Sequence, residues 1–357
     1  MTLVSKKSLG QFYTTNYEQI LKTMVIPAYP LTIIEPFAGA GDMLKFIKNP
    51  ELYTIEKYDI DPKHPDIEKR DTLLDPPVYD GKFVLTNPPY LARNKGKDKS
   101  LYDKYDVNDL YKCFIKNLVN DSAKGAEGGI IIIPLNFWCS IRKADIELRK
   151  QFLEKYNVVL VNIFEEQVFE DTKYAVCSIQ FAKKLAKKLT ITEALVANIN
   201  MTIYPSEKRL DIIMNDANNY MIGGEIYSLL QDKAIKVDRL TKKNKSSQNI
   251  TNIMVKCIDD SVVNKLGLRI VEDKDIYIDE TPNLSARSYA TLVIEPKLSI
   301  EKQRKLVHKF NIYMDEQREK YHSLFMTNYR ESNSIARKRI SFNLAYEIVN
   351  HLLQTMD

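Results

Sequence analysis

The sequence predicts an α/β domain built on a parallel sheet, followed by a second domain. Between residues 31 and about 184, short runs rich in Ile, Val and Leu alternate with longer amphipathic stretches, a pattern typical of buried parallel strands with helices on both faces of the sheet. A chain of 357 residues also exceeds what one hydrophobic core usually organises. The lysine-rich run at 182–189 follows the last expected strand, so the predicted domains are 1–184 and 185–357.

The individual elements follow from the same patterns. The expected strands read LTIIEPF, LYTIEKYDI, KFVLTNPPY, GGIIIIPLN, NVVLVNIFE and YAVCSIQFA. Residues 108–124 place Leu110, Phe114 and Leu118 on one helical face, with Asn108 as the expected N-cap. After residue 184 the chain has irregular polar segments at 242–249 and 281–288 and helical segments near 300–322 and 333–354. The second domain is therefore predicted to be α+β, with a helical C-terminal segment.

Composition indicates a soluble globular protein, because 44% of the residues are hydrophobic and 28% are charged. No run of 18 apolar residues occurs, and the first residues, MTLVSKKSLGQFYTT, lack the apolar core of a signal peptide. We therefore expect an intracellular protein that does not contact a membrane, in a bacterium or, if the source is viral, in the host cell.

The cysteines, histidines and charges limit the kinds of ligand that we expect. The four cysteines form no C-x-x-C pair and the four histidines form no H-E-x-x-H, so reduced buried thiols and no metal are expected. The net charge is +5, and from residue 185 onward 26 Lys and Arg stand against 22 Asp and Glu, compared with 26 against 25 before it. This balance permits a polyanionic partner without requiring one.

The segment Asn87-Pro88-Pro89-Tyr90 is the most informative, because it follows directly on the strand KFVLT. The two prolines stiffen the backbone there, so the Asn87 side-chain oxygen and the Pro88 carbonyl can converge on one amino group while Tyr90 offers a flat face to a base. An aromatic amine is a poor nucleophile, and two acceptors together with a fixed methyl donor supply catalysis by positioning and electrostatics. Taken alone, the tetrapeptide also fits a turn that merely ends a strand.

Small and acidic residues follow two earlier strands. Glu35 begins a strand-to-helix turn in which Ala38 and Gly39 let a ligand approach the backbone. The turn lacks both G-x-G-x-x-G and a P-loop lysine, which argues against a dinucleotide or a nucleoside triphosphate. Asp59 follows the next strand and can accept bonds from ribose hydroxyls, and Asp71 can accept one from an adenine amino group. Each of these residues alone also fits an ordinary turn or a solvated acidic loop.

In their order along the chain, these segments resemble the DNA amino-methyltransferases, specifically the γ class of N6-adenine enzymes from type II restriction-modification systems and especially their algal-virus members. LGQFYTT at 9–15 resembles motif X, EPFAGAGD motif I, YDID motif II, RDT motif III and NPPY motif IV. The resemblance implies S-adenosylmethionine as cofactor, on a Rossmann-like methyltransferase sheet. It implies cofactor contacts from Tyr13, Thr14, Glu35, Ala38, Gly39, Asp59, Asp71 and Asn87. It further implies that the flipped adenine is held by Asn87, Pro88, Tyr90 and, in the hairpin at 165–181, Phe169.

The resemblance also implies a substrate: adenine N6 within a short recognition sequence of double-stranded DNA, with a cognate restriction endonuclease as a further partner. Asn at position 87, rather than Ser, favours adenine N6 over cytosine N4. Residues 185–357 would then recognise the target. Extruding a base requires protein contacts to the flanking phosphates, although each cationic cluster equally fits a solvated face. The expected DNA contacts are Lys242, Lys243, Lys245 and Gln248 in one loop, and Arg330, Arg337, Lys338 and Arg339 in a second cluster.

Three alternatives remain from the sequence. Asn-Pro-Pro-Tyr also occurs in enzymes that methylate a glutamine amide of translation release factors, but those have a small helical domain before the catalytic one, whereas here about 170 residues follow it. An RNA N6-adenine methyltransferase is the nearer competitor. A non-catalytic nucleic-acid-binding module is disfavoured by the intact Asn87, Pro88 and Tyr90. The recognition sequence, the existence of a partner endonuclease and the oligomeric state are left open.

Overall fold

The computed structural model describes residues 10–12, 14–28, 31–120, 125–169, 175–185, 194–259, 265–280, 289–329 and 337–356, with only the backbone at 327–329 and 337. The chain divides into two compact units, Met1–Asp216 and Ala217–Asp357. Each unit has its own sheet system.

The first unit is built on a nine-stranded sheet, counted over the residues described, with the order β3-β2-β1-β4-β5-β7-β6-β8-β9. Every strand that the sequence predicts is present in it, so the predicted Rossmann-like sheet is confirmed. The strands are β1 Thr32–Glu35, β2 Thr54–Asp59, β3 Glu68–Lys69, β4 Lys82–Thr86, β5 Gly128–Pro134, β6 Tyr156–Phe164, β7 Val176–Lys183, β8 Ala197–Tyr204 and β9 Lys208–Met214.

Helices alternate with these strands. They are α1 Tyr17–Ile20, α2 Ser100–Tyr105, α3 Leu110–Val119 and α4 Lys143–Lys155, with single 3₁₀ turns at Met43–Phe46, Pro50–Leu52 and Leu135–Phe137. The helix predicted at 108–124 is α3, and residues 121–124 lie outside those described. Its N-cap is Asp109 rather than the predicted Asn108. The Asn108 side chain instead accepts a hydrogen bond from Lys112 Nζ at 2.7 Å.

Strand β7 is antiparallel to its neighbours within the otherwise parallel core of the predicted sheet. Strands β1, β2, β4 and β5 are parallel, whereas β7 lies antiparallel between β5 and β6. The reason is the connection from β6 to β7: it contains no helix among its described residues and returns the chain directly. Neighbouring strands joined in this way are antiparallel, whereas parallel ones need a long crossover.

The boundary between the units lies after Asp216, later than the predicted position after residue 184. Strands β8 and β9 account for the difference, because β8 pairs in parallel with β6 and β9 pairs antiparallel with β8. Both strands therefore extend the sheet of the first unit. The lysine-rich run at 182–189, which served as the predicted boundary, lies at the end of β7 and in the connection from β7 to β8 within one unit. Residues 186–193 of that connection lie outside those described.

The second unit contains two small sheets, ordered β10-β14-β11-β13 and β12-β16-β15. The prediction of an α+β domain is confirmed. The helix predicted near 300–322 is present, but residues 337–339 of the segment predicted as helical at 333–354 form a strand, and the helix begins only at Phe342. The elements are β10 Lys236–Arg239, β11 Ile250–Lys256, β12 Ile258–Asp259, β13 Gly267–Ile270, β14 Tyr289–Glu295, α5 Ile300–Tyr321, β15 Thr327–Tyr329, β16 Arg337–Arg339 and α6 Phe342–Gln354.

Serine side chains fix where the two long helices of the second unit begin. Ser299 Oγ accepts a hydrogen bond from Lys302 N at 3.2 Å, and Ser341 Oγ accepts one from Leu344 N at 3.1 Å. All four cysteines are buried and free, as predicted. None of the described helices is long and apolar enough to cross a membrane.

Candidate functional site at the carboxyl edge of the sheet

The carboxyl ends of β1, β2 and β4 meet at a cavity of about 540 Å³. In an open parallel sheet, ligands bind outside the carboxyl ends of the strands, and adjacent strands deliver their following residues to the same place. The predicted residues that line this cavity are Thr14, Ala38, Gly39, Asp59, Asp71 and Asn87. The structure thus brings together six residues that are scattered over more than 70 positions of the sequence.

Two glycines shape the turn that follows β1. Gly39 and Gly41 have φ angles of +53° and +78°, a left-handed conformation that side chains rarely adopt. The turn presents the Gly39 N–H to Asp59, whose Oδ2 accepts it at 2.7 Å. The sequence predicts this glycine turn, and the structure adds that it is tied to the acidic residue at the end of β2.

The Asp59 carboxylate is already engaged by protein donors. Besides Gly39, it accepts hydrogen bonds at Oδ1 from Asp61 N at 2.8 Å and from Gln11 Nε2 at 3.3 Å. A carboxylate has about four acceptor positions, so about one remains for a ligand hydroxyl unless the Gln11 side chain moves. The side chain is therefore rigidly oriented toward the cavity, with less free capacity than a pair of ribose hydroxyls would use.

Glu35 lies at the end of β1 and does not line the cavity, although the sequence predicts it as a cofactor contact. It is buried, and its Oε1 accepts hydrogen bonds from Thr86 Oγ1 and, at 3.2 Å, from Phe37 N. Its Oε2 is buried without a hydrogen-bond partner. Burial raises the pKa of Glu35 to about 8, and the bonds from Thr86 and Phe37 oppose that rise without cancelling it. At neutral pH the carboxyl is therefore mainly protonated, and because Oε1 accepts both bonds, Oε2 is the oxygen that carries the proton.

Asp71 lies against the cavity because a turn holds it there. Its Oδ1 accepts hydrogen bonds from Leu73 N at 3.1 Å and from Leu74 N at 3.2 Å. The following residue, Thr72, donates to Pro36 O at 2.8 Å and so joins this turn to the one that follows β1. Two of the three predicted acidic contacts, Asp59 and Asp71, thus face the cavity.

The amide of Asn87 is fixed by residues near the N-terminus. Its Nδ2 donates to Phe12 O at 2.9 Å and to Thr14 Oγ1 at 3.0 Å. With Nδ2 so engaged, Oδ1 is left as the acceptor, and in the structure it accepts from the Tyr90 hydroxyl. The Tyr90 hydroxyl is also 2.6 Å from Ile132 O. Since a phenol has one proton, it serves one of these two acceptors at a time.

The aromatic residues predicted to hold a base are buried. Tyr90 and Phe169 are only 2% and 3% exposed, and neither lines the cavity. Pro88 is also buried, whereas Pro89 lines the cavity. The Phe12 ring lies against both aromatics, with its centroid 5.5 Å from that of Tyr90 and 6.5 Å from that of Phe169. Neither predicted aromatic presents an open face.

We use the term strap for residues 10–12 and 14, which cover this edge of the sheet. Tyr90 N donates to Gly10 O at 2.9 Å, and a side chain at Gly10 would lie 2.7 Å from Tyr90 O. The strap therefore contacts Asp59, Asn87 and Tyr90. The predicted contact Tyr13 lies outside the described residues.

Several residues that line the cavity could not be predicted from the sequence. Phe37, Met43, Leu91 and Leu110 form apolar walls of the cavity, and the loop at 95–98 forms part of its rim. Apolar residues that line a ligand site have the same pattern as core residues, so nothing in the sequence marks them. Within the described part of the chain, no three His, Cys, Asp or Glu side chains gather as a metal site requires.

The cations predicted to contact DNA belong to different elements of the second unit. Lys242, Lys243, Lys245 and Gln248 are exposed in the connection from β10 to β11, and Lys242 forms an ion pair with Glu280 at 3.2 Å. In the other cluster, Lys338 and Arg339 are half-buried in β16, Arg337 is described by its backbone only, and Arg330 lies outside the described residues. The exposed group is accessible to a partner, and the second group is only partly so.

Comparison with known families agrees with the predicted chemistry. Residues 41–169 match the family described as Eco57I restriction-modification methylase. The matched segment includes the turn from Asn87 to Tyr90 and ends at Phe169. It spans 129 of 357 residues and supports the resemblance to a restriction-modification methyltransferase for that segment. The predicted cofactor, S-adenosylmethionine, agrees with a match to a methylase family.

Among solved structures, the chain is similar to a type I restriction-modification methyltransferase subunit from Streptococcus thermophilus, with 15% identity and a TM-score of 0.38 over 54% of this chain and 47% of that one. It is also similar to the M protein of the type I restriction enzyme EcoKI, with 12% identity and a TM-score of 0.37 over 90% and 73%. The chain thus spans about half the length of the Streptococcus subunit. The comparison with curated proteins finds no match.

Proposed function

We propose that the chain is an S-adenosylmethionine-dependent DNA methyltransferase of a restriction-modification system, with adenine N6 as the methyl acceptor. The observation that carries the proposal is the Asn87 amide, oriented by two hydrogen bonds at the edge of the cavity that Gly39, Asp59 and Asp71 also line. A rigid acceptor beside a cofactor-sized cavity is the arrangement that transfer to an amine requires. The match of residues 41–169 to a methylase family supports it independently.

The side chains fit this cofactor. A cavity of about 540 Å³ is of the size that holds a nucleoside-sized ligand, and its walls combine apolar residues with Asp59 and Asp71. The unpartnered Oε2 of the buried Glu35 lies at the end of β1 and, once the carboxyl is ionised, would accept a bond from an amino group. Because Asp59 and Asp71 line the cavity and favour hydrogen-bond donors and cations, the site suits a ligand with hydroxyl, amino and sulfonium groups.

The protein's own contribution to catalysis is positioning. When bound, the cofactor supplies an electrophilic methyl group whose bond to sulfur breaks as the bond to nitrogen forms, leaving a neutral thioether, and the extra proton on the amine passes to water. Asn87 Oδ1 accepts from the amine and so draws electron density onto the nitrogen, provided that Tyr90 donates to Ile132 O instead. The Pro88-Pro89 pair stiffens the backbone after Asn87 and so helps to hold Asn87 Oδ1 in position.

The strap supports the finer assignment to the γ class of N6-adenine enzymes. In that resemblance the segment at 9–15 precedes the other motifs and covers the cofactor, and residues Gln11, Phe12 and Thr14 do line the cavity. The algal-virus likeness rests on the sequence resemblance. A large second unit with exposed cations at Lys242, Lys243 and Lys245 supports target recognition on DNA, and we propose a restriction endonuclease of the same specificity as the functional partner.

The test is transfer of a tritiated methyl group from S-adenosylmethionine to duplex DNA, single-stranded DNA and structured RNA, with the product nucleosides separated by mass. We expect N6-methyladenine in duplex DNA. Label in RNA alone would assign the chain to RNA, and label in N4-methylcytosine would overturn the adenine assignment. Sequencing the methylated positions in DNA from expressing cells would then give the recognition sequence.

A further inference from the structure

The loop at 91–99 follows the catalytic turn and forms part of the rim of the cavity. It carries four cations, and Lys95 and Lys97 line the same cavity as Asn87 and Pro89. None of these loop residues belongs to the sites predicted from the sequence. A nucleotide whose base approached Asn87 from this side of the cavity would have its phosphates near this rim.

Hydrogen bonds within the loop fix its course. Lys95 N donates to Ala92 O at 2.8 Å, and the Tyr102 hydroxyl donates to Leu91 O at 2.9 Å. The Lys99 ammonium contacts the backbone carbonyls of residues 93 and 96. These bonds restrain the backbone that carries Lys95 and Lys97, which lowers the entropic cost of any contact they make.

The four cations of the loop differ in their partners. Arg93 forms an ion pair with Asp103 at 2.6 Å, and Lys99 is held by the carbonyls just named. Lys95 and Lys97 are exposed and form no ion pair with any residue that the structure describes. The nearby Asp98 carboxylate accepts instead from Ser100 N at 2.8 Å and Ser100 Oγ at 2.9 Å. Two cations thus remain for a ligand at the rim.

We propose that Lys95 and Lys97 bind the phosphates that flank the extruded adenine. The proposal rests on the proposed function, because it takes the substrate to be a nucleic acid whose target base reaches Asn87 at the edge of this cavity. Phosphate contacts position the strand without reading its sequence, and they replace counterions that are released into solution. The loop would thus hold the backbone of the target nucleotide while the second unit contacts the recognition sequence.

The test uses a double variant that carries both Lys95→Ala and Lys97→Ala. Its control is Arg93→Ala, which removes a charge from the same loop at an ion-paired position. Affinity for a duplex substrate is measured from 50 to 300 mM salt, together with affinity for S-adenosylmethionine. Each lysine that no longer neutralises a phosphate should reduce the steepness with which log K falls against log salt by about 0.9. The salt dependence should therefore become shallower by about 1.8 in the double variant and by much less in Arg93→Ala.

An unchanged slope in the double variant, or an equal fall in Arg93→Ala, would overturn the proposal. Weaker binding of S-adenosylmethionine with unchanged DNA binding would also overturn it, because the lysines would then serve the cofactor carboxylate. A wild-type protein that binds the cofactor but methylates no nucleic acid would contradict the proposed function instead, so the two failures are distinguishable.

A second inference comes from a different observation, the aromatic contacts of Phe12. Its ring is near both residues predicted to hold the base, tilted by 31° to Tyr90 and by 38° to Phe169, and it is half-buried. A base held by Tyr90 and Phe169 would likewise be a flat ring in contact with both of them. Phe12 therefore takes contacts that the resemblance assigns to the target adenine.

The backbone of the strap is held independently of this ring. Phe12 O accepts from Asn87 Nδ2 at 2.9 Å, and Gln11 Nε2 donates to Asp59 Oδ1 at 3.3 Å. The Phe12 side chain can consequently turn about its first torsion while its carbonyl stays bonded to Asn87. Exchange of the ring for a base then needs a rotamer change rather than movement of the whole segment.

We infer that Phe12 occupies the base site in the absence of nucleic acid and leaves it when the adenine enters. This also rests on the proposed function and concerns the regulation of the same site. Removal of the ring eliminates a competitor for the site. Each aromatic contact is worth about 0.5–1.5 kcal/mol, so removing two corresponds to capture of the base that is about tenfold tighter.

The experiment uses duplexes with 2-aminopurine at the methylated position and the variants Phe12→Ala and Phe12→Leu, once that position is mapped. At saturating S-adenosylmethionine, Phe12→Ala should reach a given rise in fluorescence at about one tenth of the protein concentration, with Phe12→Leu intermediate. Saturating cofactor is used because Phe12 also lines the cofactor cavity, so its removal can change cofactor affinity. Equal or weaker capture of the base under these conditions would overturn the inference. Thermal unfolding verifies that both variants fold.

Discussion

Asn87 has two roles in the proposed mechanism, and the isosteric change Asn87→Asp separates them. Its Oδ1 is the acceptor for the amine, whereas its Nδ2 holds the strap through Phe12 O at 2.9 Å and Thr14 Oγ1 at 3.0 Å. Aspartate keeps the first atom and replaces the second by an acceptor. Thr14 can reverse its hydroxyl and donate, but the Phe12 carbonyl cannot, so two oxygens would face each other at that position.

The size of the effect follows from the hydrogen bonds that the amide nitrogen makes. Because Thr14 can still donate, the loss is the bond to Phe12 O, and a carbonyl left facing another oxygen costs about 1–3 kcal/mol, which at its midpoint corresponds to a rate about 30-fold lower if the strap must be in place for transfer. Asn87→Ala also removes the acceptor, and removal of such a preorganised group lowers kcat by about 10²–10³. We therefore expect wild type to exceed Asn87→Asp, and Asn87→Ala to be the slowest.

The assay is single-turnover transfer of a tritiated methyl group at saturating protein, with cofactor affinity measured in parallel by fluorescence. Asn198→Asp is the control, because Asn198 is an exposed position of β8 and tests the added charge alone. An Asn87→Asp rate equal to that of wild type would show that the amide hydrogens play no part. An Asn87→Ala rate equal to that of wild type would refute the catalytic role of the residue.

Three further predictions concern the same unit. Burial raises the pKa of Glu35 to about 8, so its ionised form increases as pH rises toward 8. If Glu35 binds the cofactor's amino group, affinity for S-adenosylmethionine measured by calorimetry rises from pH 6 to 8 in wild type, and a rise of equal size in Glu35→Gln would contradict this. Lys112→Met removes the cation that pairs with the buried Asp145 at 2.6 Å, so it should lower the free energy of unfolding in urea by about 3–5 kcal/mol. A decrease below about 1 kcal/mol would contradict this. Gly10→Ala should lower both the melting temperature and methyl transfer, because Gly10 has φ +70° and its new Cβ would lie 2.7 Å from Tyr90 O; wild-type values for both would show that the strap shifts at no cost.

Six strands of the first sheet could be predicted because each lies in a short run rich in Ile, Val and Leu with a polar or glycine-rich end. β5, for example, is buried along its whole length and reads GGIIIIP. β8 and β9 could not be recognised in this way, because they alternate exposed and buried positions and follow a run of lysines. The reversed direction of β7 also has no signature in its own residues, since direction is decided by the connection that precedes it.

At the site, the sequence predicts which residues collect at the sheet edge but not what each one contacts. Gly39, Asp59, Asp71 and Asn87 follow strands directly, so the order of the strands in the sheet brings them together. The burial of Tyr90 depends on Phe12, which is 78 residues away in the chain. Contacts between such distant segments are tertiary, and no local pattern in the sequence encodes them.

The Tyr90 hydroxyl contacts Asn87 Oδ1, the acceptor that the proposed methyl transfer requires. Burial raises the pKa of Tyr90 well above its ordinary value, so its hydroxyl keeps its single proton. That proton is shared between Asn87 Oδ1 and Ile132 O, and only donation to Ile132 O leaves Asn87 free to accept from an amine. Because Phe12 packs on the Tyr90 ring, departure of the Phe12 ring alters the surroundings of the residue whose hydroxyl contacts Asn87 Oδ1. Entry of the base and release of the catalytic acceptor would then be coupled through one side chain.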